Sequence, residues 1–284
     1  MLGIEYAGAL QVLEEQGVMT GIERVAGASA GAFTAALVAQ KYTSAEIKEV
    51  VGSMYFASFE DGNVFNDIEV LNKYGIHPGH TLLACAEGLF SKKLGTNATF
   101  ADLRAKGFLD LHVVVTNMDT GNPEVLSFDT APNVVISEAV RASMSIPWFF
   151  YAFALSTDPN QTLYQDGGTE WNFPLTIFDD VCGNLETLGL FLTPDGDAPA
   201  PAHLKHGHFG SAIKRDFQAV LNAQDVAFFR NPDQVRRTIQ LFHPARLTAT
   251  DFNLTDADKD TLFNAGVQCT QQWYQNLFNS KKAA

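Results

Sequence analysis

The sequence predicts an α/β fold, a mainly parallel sheet covered by helices on both faces, and three observations predict it. Short apolar runs of strand length alternate with longer stretches whose apolar residues recur at helical spacing. Glycine, proline and asparagine clusters punctuate the joins between them. The two most chemically suggestive turns, Gly27-Ala28-Ser29-Ala30-Gly31 and Asp166-Gly167-Gly168, each follow a strand-like run, where open α/β sheets hold their ligands.

Taken in order, residues 6–16 carry Ala7, Leu10, Val12 and Leu13 at helical spacing and meet Gly17 as a C-terminal stop. Residues 22–26 form a short strand, 27–31 a glycine-bounded turn, and 32–41 a small-residue helix. Residues 109–116, with Leu109, Leu111, Val113, Val114 and Val115, read as a buried strand. The turn Asp119-Thr120-Gly121-Asn122-Pro123 leads to a hairpin partner at 124–128. Residues 136–144 are helical, Pro147 follows, and 162–165 form a short strand running into Asp166. Two more apolar strands, 187–192 and 238–242, flank an amphipathic helix at 211–229. The segment 56–93 reads as a less regular insertion, a lid or cap, and 194–210 as a mobile surface loop.

The chain has 284 residues, 46% of them hydrophobic and 18% charged, enough to bury a substantial core. Its formal net charge of -13 argues against a broad electrostatic grip on nucleic acid or anionic lipid, so no nucleic-acid partner is expected. Contact with a membrane or micelle would be local and largely apolar. Cys85, Cys182 and Cys269 lack paired metal-ligand spacing and read as buried thiols, and no metal or cofactor is expected. No signal-peptide pattern or bilayer-spanning run is evident, so the expected location is the cytoplasm, or outside the cell by a route without a Sec signal.

A G-x-S-x-G at a strand-to-helix turn pushes the serine hydroxyl out above a sheet, with Gly27 and Gly31 letting the backbone pinch. The helix that follows aims its N–H groups and positive dipole end at the turn, which suits an oxyanion, with the Ala30 N–H as first donor. Serine needs a base. Ser29, Asp195 and His243 satisfy the order of an α/β-hydrolase triad, but that fold places several strands before its nucleophile and only 28 residues precede Ser29. His243 then reads as a surface histidine at a strand end. Asp166, at a strand end with Gly167 and Gly168 allowing close backbone approach, is the better base, provided that partial desolvation raises its basicity.

Together these residues resemble the patatin-like phospholipase family, whose serine lies in G-x-S-x-G and whose aspartate lies in D-G-G or D-G-A. Gly8-Ala9-Leu10 with Leu13-Glu14-Glu15 resembles the family's first helix, and Val115-Thr116-Asn117 through Thr120-Gly121 its central strand and turn. Ala142-Ser143-Met144-Ser145-Ile146-Pro147, and Asp166-Gly167-Gly168 with Asn172 and Pro174, resemble two further stretches. The resemblance implies a three-layer α/β/α sandwich, a Ser29–Asp166 dyad, metal-free hydrolysis of fatty-acyl esters of glycerolipids, and, for some bacterial members, a host activator.

One departure concerns the oxyanion hole. Family members begin with a strand and a loop, G-G-G-x-[RK]-G, whose N–H groups form the hole; here Gly3 fits the last glycine, and Met1 and Leu2 fall where x and the basic residue would be. The expectation is one patatin-like domain over 1–284, short of that strand and loop. Ala30 with Gly3 or another segment would then rebuild the hole, unless the recorded start is late or the protein is a non-catalytic lipid- or partner-binding relative. A sheet short of a strand would also invite pairing of two chains into a homodimer. The expected substrate groove is lined by Trp148, Phe149, Phe150, Tyr151 and Phe153, whose alternative role is core.

Overall fold

Helices and strands alternate through most of the computed structural model, which describes residues 3–62, 67–182, 186–195, 209–247 and 253–283. In chain order they are α1 (Ile4–Glu15), β1 (Arg24–Ala28), α2 (Ala30–Ala39), α3 (Ser44–Ser53), α4 (Asp67–Lys73), β2 (Gly75–His77), α5 (His80–Leu94) and α6 (Phe100–Ala105). There follow β3 (Asp110–Asn117), β4 (Asn122–Leu126), α7 (Ile136–Ser143), β5 (Trp148–Phe150), β6 (Phe153–Ala154), β7 (Leu163–Asp166), α8 (Gly168–Trp171) and α9 (Asp179–Cys182). The last elements are β8 (Gly189–Asp195), α10 (Phe209–Phe229), α11 (Pro232–Arg236), β9 (Thr238–Pro244) and α12 (Asp256–Ala283).

β3 is the hub. Its Val113, Val114 and Val115 are wholly buried, as a strand covered on both faces requires. β1 pairs with it in parallel, Ala28 opposite Val114. β4 and β7 pair with it antiparallel, Val115 opposite Asp166, and β6 continues from β7. β2–β5 and β8–β9 are parallel pairs beside this sheet. The α/β sandwich expected from the sequence is present, with parallel pairings at β1, β2 and β8 and antiparallel ones gathered around β4, β7 and β6.

Helices α2 and α7 pack on β3, with α2 also on β1 and α5 behind α7, while α1 and α12 pack together and against β9. The α1–α12 crossing is close because two glycines face each other's backbone. A Cβ on Gly8 would fall 2.1 Å from the Phe263 carbonyl oxygen, and one on Gly266 would fall 2.1 Å from that of Glu5.

Several boundaries differ from the sequence reading. β1 starts at Arg24, because a 3-10 turn over Val18–Gly21 occupies the approach and the register with β3 begins at Asp110. The segment 56–93 is largely regular, built from a 3-10 turn at Phe56–Phe59, α4, β2 and the 15-residue α5, whose Leu82, Ala86, Phe90 and Leu94 form a buried stripe. Most of the loop expected at 194–210 lies outside the described residues. Cys85 and Cys269 are thiols only partly buried, and the Cys182 side chain is outside the description. Among the described residues no helix is long and apolar enough to cross a membrane.

Because the α1–α12 contact leaves no room for a methyl group, Gly266→Ala is expected to lower the free energy of unfolding by about 1–3 kcal/mol. Urea denaturation measures this; an unchanged midpoint would mean that the two helices are free to separate.

Candidate active site

β1 delivers the chain to Ser29, and α2 leaves from it. The turn is tight: Ser29 has φ 52° and ψ −125°, a backbone conformation that costs a non-glycine residue about 1–3 kcal/mol and persists only when its surroundings hold it. Gly27 permits the pinch, since a Cβ there would lie 2.3 Å from the carbonyl carbon of Gly31. Gly31 is under no such constraint; the nearest atom to a Cβ there is the Tyr6 hydroxyl at 3.9 Å. Thus the first glycine of the motif meets the steric demand, and the second does not.

The Ser29 Oγ donates to Asp166 Oδ2 at 2.7 Å. The two residues are 137 positions apart, brought together because β1 and β7 pair with successive stretches of the same edge of β3, Ala28 opposite Val114 and Asp166 opposite Val115. Asp166 is wholly buried at the end of β7. Burial raises its carboxyl from the ordinary 3.8 to about 7, opposed by the hydrogen bonds from Ser29 and from the Gly168 N–H, which reaches Oδ1 at 2.8 Å. Its backbone is fixed as well: its N–H donates to the Ser145 carbonyl, and its own carbonyl accepts the Thr116 hydroxyl at 2.9 Å. Gly167 lets β7 approach β3, since a Cβ there would fall 2.1 Å from the Val114 oxygen, while one on Gly168 would crowd Asn172 and Asp166 at 3.0 Å.

A third group sits behind the turn. Ser143, wholly buried at the end of α7, accepts the Ser29 N–H at 2.9 Å and donates to the Val114 carbonyl at 2.6 Å. It ties the strained residue to β3 and satisfies an N–H at the helix start that has no intrahelical partner. Gln224 on α10 braces the other side, donating to the Gly168 carbonyl at 2.8 Å and accepting from the Asn172 N–H. Sequence reasoning quoted Ser143 only as part of a motif and did not single out Gln224. Neither side chain's direction has a periodic signal, although a serine at the end of a helix is a cue for a backbone clamp.

The starts of α1 and α2 meet here. Gly3, which precedes α1, lies against Ala30 and Thr34, a Cβ on it falling 3.9 Å from the Ala30 Cβ. Both helix N-termini therefore bring N–H groups and positive dipole ends to the side of the turn. An apolar pocket opens at the same place, with Gly3, Ala30 and Met144 in its lining. Among the described residues no three His, Cys, Asp or Glu side chains gather as a metal-ligand set.

Two sequence expectations need correction. His243 is buried, not a surface residue, and its Nδ1 lies 3.3 Å from Glu5 Oε2. Burial pushes the Glu5 carboxyl up, and the histidine beside it pulls it back. The aromatic run does not line the pocket: Phe149 and Phe150 are core, edge-to-face at 4.9 Å, and the Arg141 guanidinium lies over the rings of Phe150 and Phe153. Trp148, at φ 63°, turns outward. The run reads as a surface groove in sequence but follows a proline into β5, which carries its next two rings inward.

Fold and geometry together define an α/β protein that presents a serine at a strand-to-helix turn beside a buried carboxylate. Residues 1–179 match the sequence profile of the patatin-like phospholipases, and the chain belongs to that family, whose members are lipid hydrolases. Its relatives include the uncharacterized protein YqhO of Bacillus subtilis, 31% identical over 95% of both chains. Another, the uncharacterized protein R571 of Acanthamoeba polyphaga mimivirus, is 24% identical over 98% of this chain and 91% of its own. The fold is also that of VipD from Legionella pneumophila, with TM-score 0.63 and 17% identity over 97% of this chain. ExoU, in its complex with SpcU from the type III secretion system of Pseudomonas aeruginosa, gives TM-score 0.55 at 17% identity over the same share. The chain spans 65% of the VipD chain and about half of ExoU (49%).

The raised Asp166 carboxyl has a consequence for stability. Between its ordinary 3.8 and about 7 the unfolded chain releases a proton that the folded chain keeps, so the fold loses stability as pH rises through that window and stays lower above it. Asp166→Asn is therefore expected to be more stable than wild type at pH 8, by up to about 4 kcal/mol, with the gap shrinking toward pH 4. Paired urea titrations at the two pH values measure it; a variant less stable at pH 8 would contradict the desolvated carboxylate.

Proposed function

We propose that the chain hydrolyses fatty-acyl esters of glycerolipids, phospholipase A or lysophospholipase chemistry, with Ser29 as nucleophile and Asp166 as general base. The observation that carries this reading is the 2.7 Å hydrogen bond from the Ser29 hydroxyl to a buried carboxylate with no imidazole between them. An ordinary carboxylate is too weak a base for serine near neutral pH, and the shift of Asp166 to about 7 brings it to the range where a base is effective.

The Ser29 Oγ attacks the ester carbonyl carbon as its proton passes to Asp166 Oδ2. Negative charge collects on the carbonyl oxygen, to which the Ala30 N–H at the start of α2 would donate, with Gly3 at the start of α1 as the second contributor. Collapse breaks the bond to the alcohol, which leaves with the proton from Asp166, and the acyl group stays on Ser29. Water then gives its proton to the same aspartate and attacks the acyl carbon. Release of the fatty acid returns the proton to Ser29. Ser143, by bonding the Ser29 N–H, holds the nucleophile in its strained rotation through both halves. With a net charge of -13, contact with a lipid aggregate should favour neutral or zwitterionic surfaces over anionic ones.

Hydrolysis of a p-nitrophenyl ester and of phospholipid by wild type, Ser29→Ala and Asp166→Asn tests this. Both variants are expected to lose at least about 10³-fold in kcat/KM with folding intact. For wild type, kcat/KM should fall about tenfold per pH unit below about 7, where Asp166 takes up its proton, and level off above. Equal rates in all three proteins, or a profile flat through pH 5 to 8, would reject the dyad.

A further inference from the structure

α8 is a single helical turn entered through two glycines, and its own sequence does little to hold it. Gly167 offers no side chain to cap it, and one turn closes too few hydrogen bonds to be stable alone. Glycine adds backbone freedom that other parts of the chain have to remove. The direction of the Gly168 N–H, one of the two donors to Asp166, is therefore not settled by the turn itself.

Gln224 of α10 supplies the restraint. In a continuing helix the Asn172 N–H would bond the Gly168 carbonyl four residues back. Instead it donates to Gln224 Oε1 at 2.8 Å, while Gln224 Nε2 donates to the Gly168 carbonyl at 2.8 Å and to the Thr169 carbonyl at 3.1 Å. A side-chain amide carries the donor and the acceptor of a peptide group, and this one is spliced into the 168–172 bond as an inserted peptide unit would be. One side chain thus satisfies three backbone groups of a turn that holds the base.

α10 is itself anchored along the same line. Leu221, Gln224 and Phe228 lie on one of its faces. Leu221 is buried, with its Cδ2 3.4 Å from the position of a Cβ on Gly168; Phe228 meets Phe173 edge-on at 5.2 Å and stacks on Phe191 at 4.6 Å. α10 lies wholly outside the 1–179 stretch that matches the family profile, so this grip on the base turn comes from a part of the chain that the profile does not cover.

We infer that Gln224 is a positioning residue for the reaction: its amide, spliced into the 168–172 backbone bond, aims the Gly168 N–H at Asp166 and steadies the carboxylate that receives the Ser29 proton. The inference rests on the reading of Asp166 as the base. With the amide gone, the Gly168 peptide is free to turn, its N–H leaves Oδ1, and the carboxylate loses one of the bonds that favour its charged form. The carboxyl then keeps its proton to higher pH, and its aim at the Ser29 hydroxyl loosens. α8 packs against α10, β3 and β4; the ionisable side chains at this end of those elements are Glu170, Glu124 and Asp225, the last pushed up to about 6 by burial.

NMR titration of isotope-labelled aspartate carboxyls, with the Asp166 signal assigned by its loss in Asp166→Asn, reads the base without needing turnover. Its midpoint is expected near 7 in wild type. In Gln224→Met, which keeps the side chain's length and loses the amide, it should lie about one pH unit higher. Gln218→Met, which removes a surface amide bonded to Asn222 on the same helix, and Asp225→Asn should leave it where it is. In the ester assay Gln224→Met should move the kcat/KM profile up by the same amount and lower kcat about tenfold with KM unchanged, which a loss of packing alone would not do. Should Gln224→Met fail to fold, the unmutated protein still decides: the Gln224 side-chain amide protons should exchange slowly with solvent, and their NMR shifts should follow the Asp166 titration. An unmoved Asp166 midpoint in folded Gln224→Met, or Gln224 amide protons that exchange freely, would overturn the inference. A raised midpoint in a protein without ester turnover would uphold the clamp and reject the dyad.

Discussion

Everything in this molecule turns on a carboxylate kept dry and held against a serine. Left alone, a buried aspartate would be a liability, since its charge has lost its water. Here Asp166 keeps two compensating donors, the Ser29 hydroxyl and the Gly168 N–H. That balance leaves its basicity near neutral instead of acidic. A third strong donor would pull it back toward an inert, permanently ionised group, and full isolation would leave it permanently protonated.

The scaffold's contribution is to hold both partners from the same strand. β3 receives Ser29 through β1 and Asp166 through β7, which pair end to end along one edge while β4 takes the other, and its Val114 and Thr116 contact the supports of each. Ser143 links the two sides: its hydroxyl bonds the Ser29 N–H and the Val114 carbonyl, and its own carbonyl accepts the Gly167 N–H. The strain at Ser29 is thus held by contacts that lead back to a wholly buried strand. Arg141 anchors the far side of α7, its guanidinium donating to Gly79, Pro78 and Tyr151 carbonyls and to the Ser145 hydroxyl. Burial lowers its affinity for a proton to about 10, still far above neutral, so it remains a cation wrapped in carbonyl oxygens.

The strand-turn-helix around Ser29 and the strand ending at Asp166 were legible because their chemistry is local: glycines at the turn, β-branched residues before it, small apolar residues after it. The hairpin from β3 to β4 was legible for the same reason, through Gly121 and Asn122. What could not be read were contacts set by tertiary packing. The aromatic run 148–153 has the composition of a groove, yet its direction is decided by pairing of β5 with β2, a register invisible in one stretch of sequence. His243 looked exposed because Pro244 follows it, whereas the neighbour that buries it is Glu5, 238 residues upstream, brought there by α1. α3 and α12 went unread although each has a local start signal, the capping pairs of Thr43 with Glu46 and of Thr255 with Asp258.

The central claim is that Asp166 makes Ser29 nucleophilic. Covalent capture by a fluorophosphonate, followed by mass spectrometry of the Ser29 peptide, tests it most directly because it needs no knowledge of the natural lipid. The account predicts a single adduct on Ser29 in wild type, forming faster as pH rises through about 7, and little or none in Asp166→Asn. An adduct on another residue, or on Ser29 at the same rate once the carboxylate is gone, would contradict it.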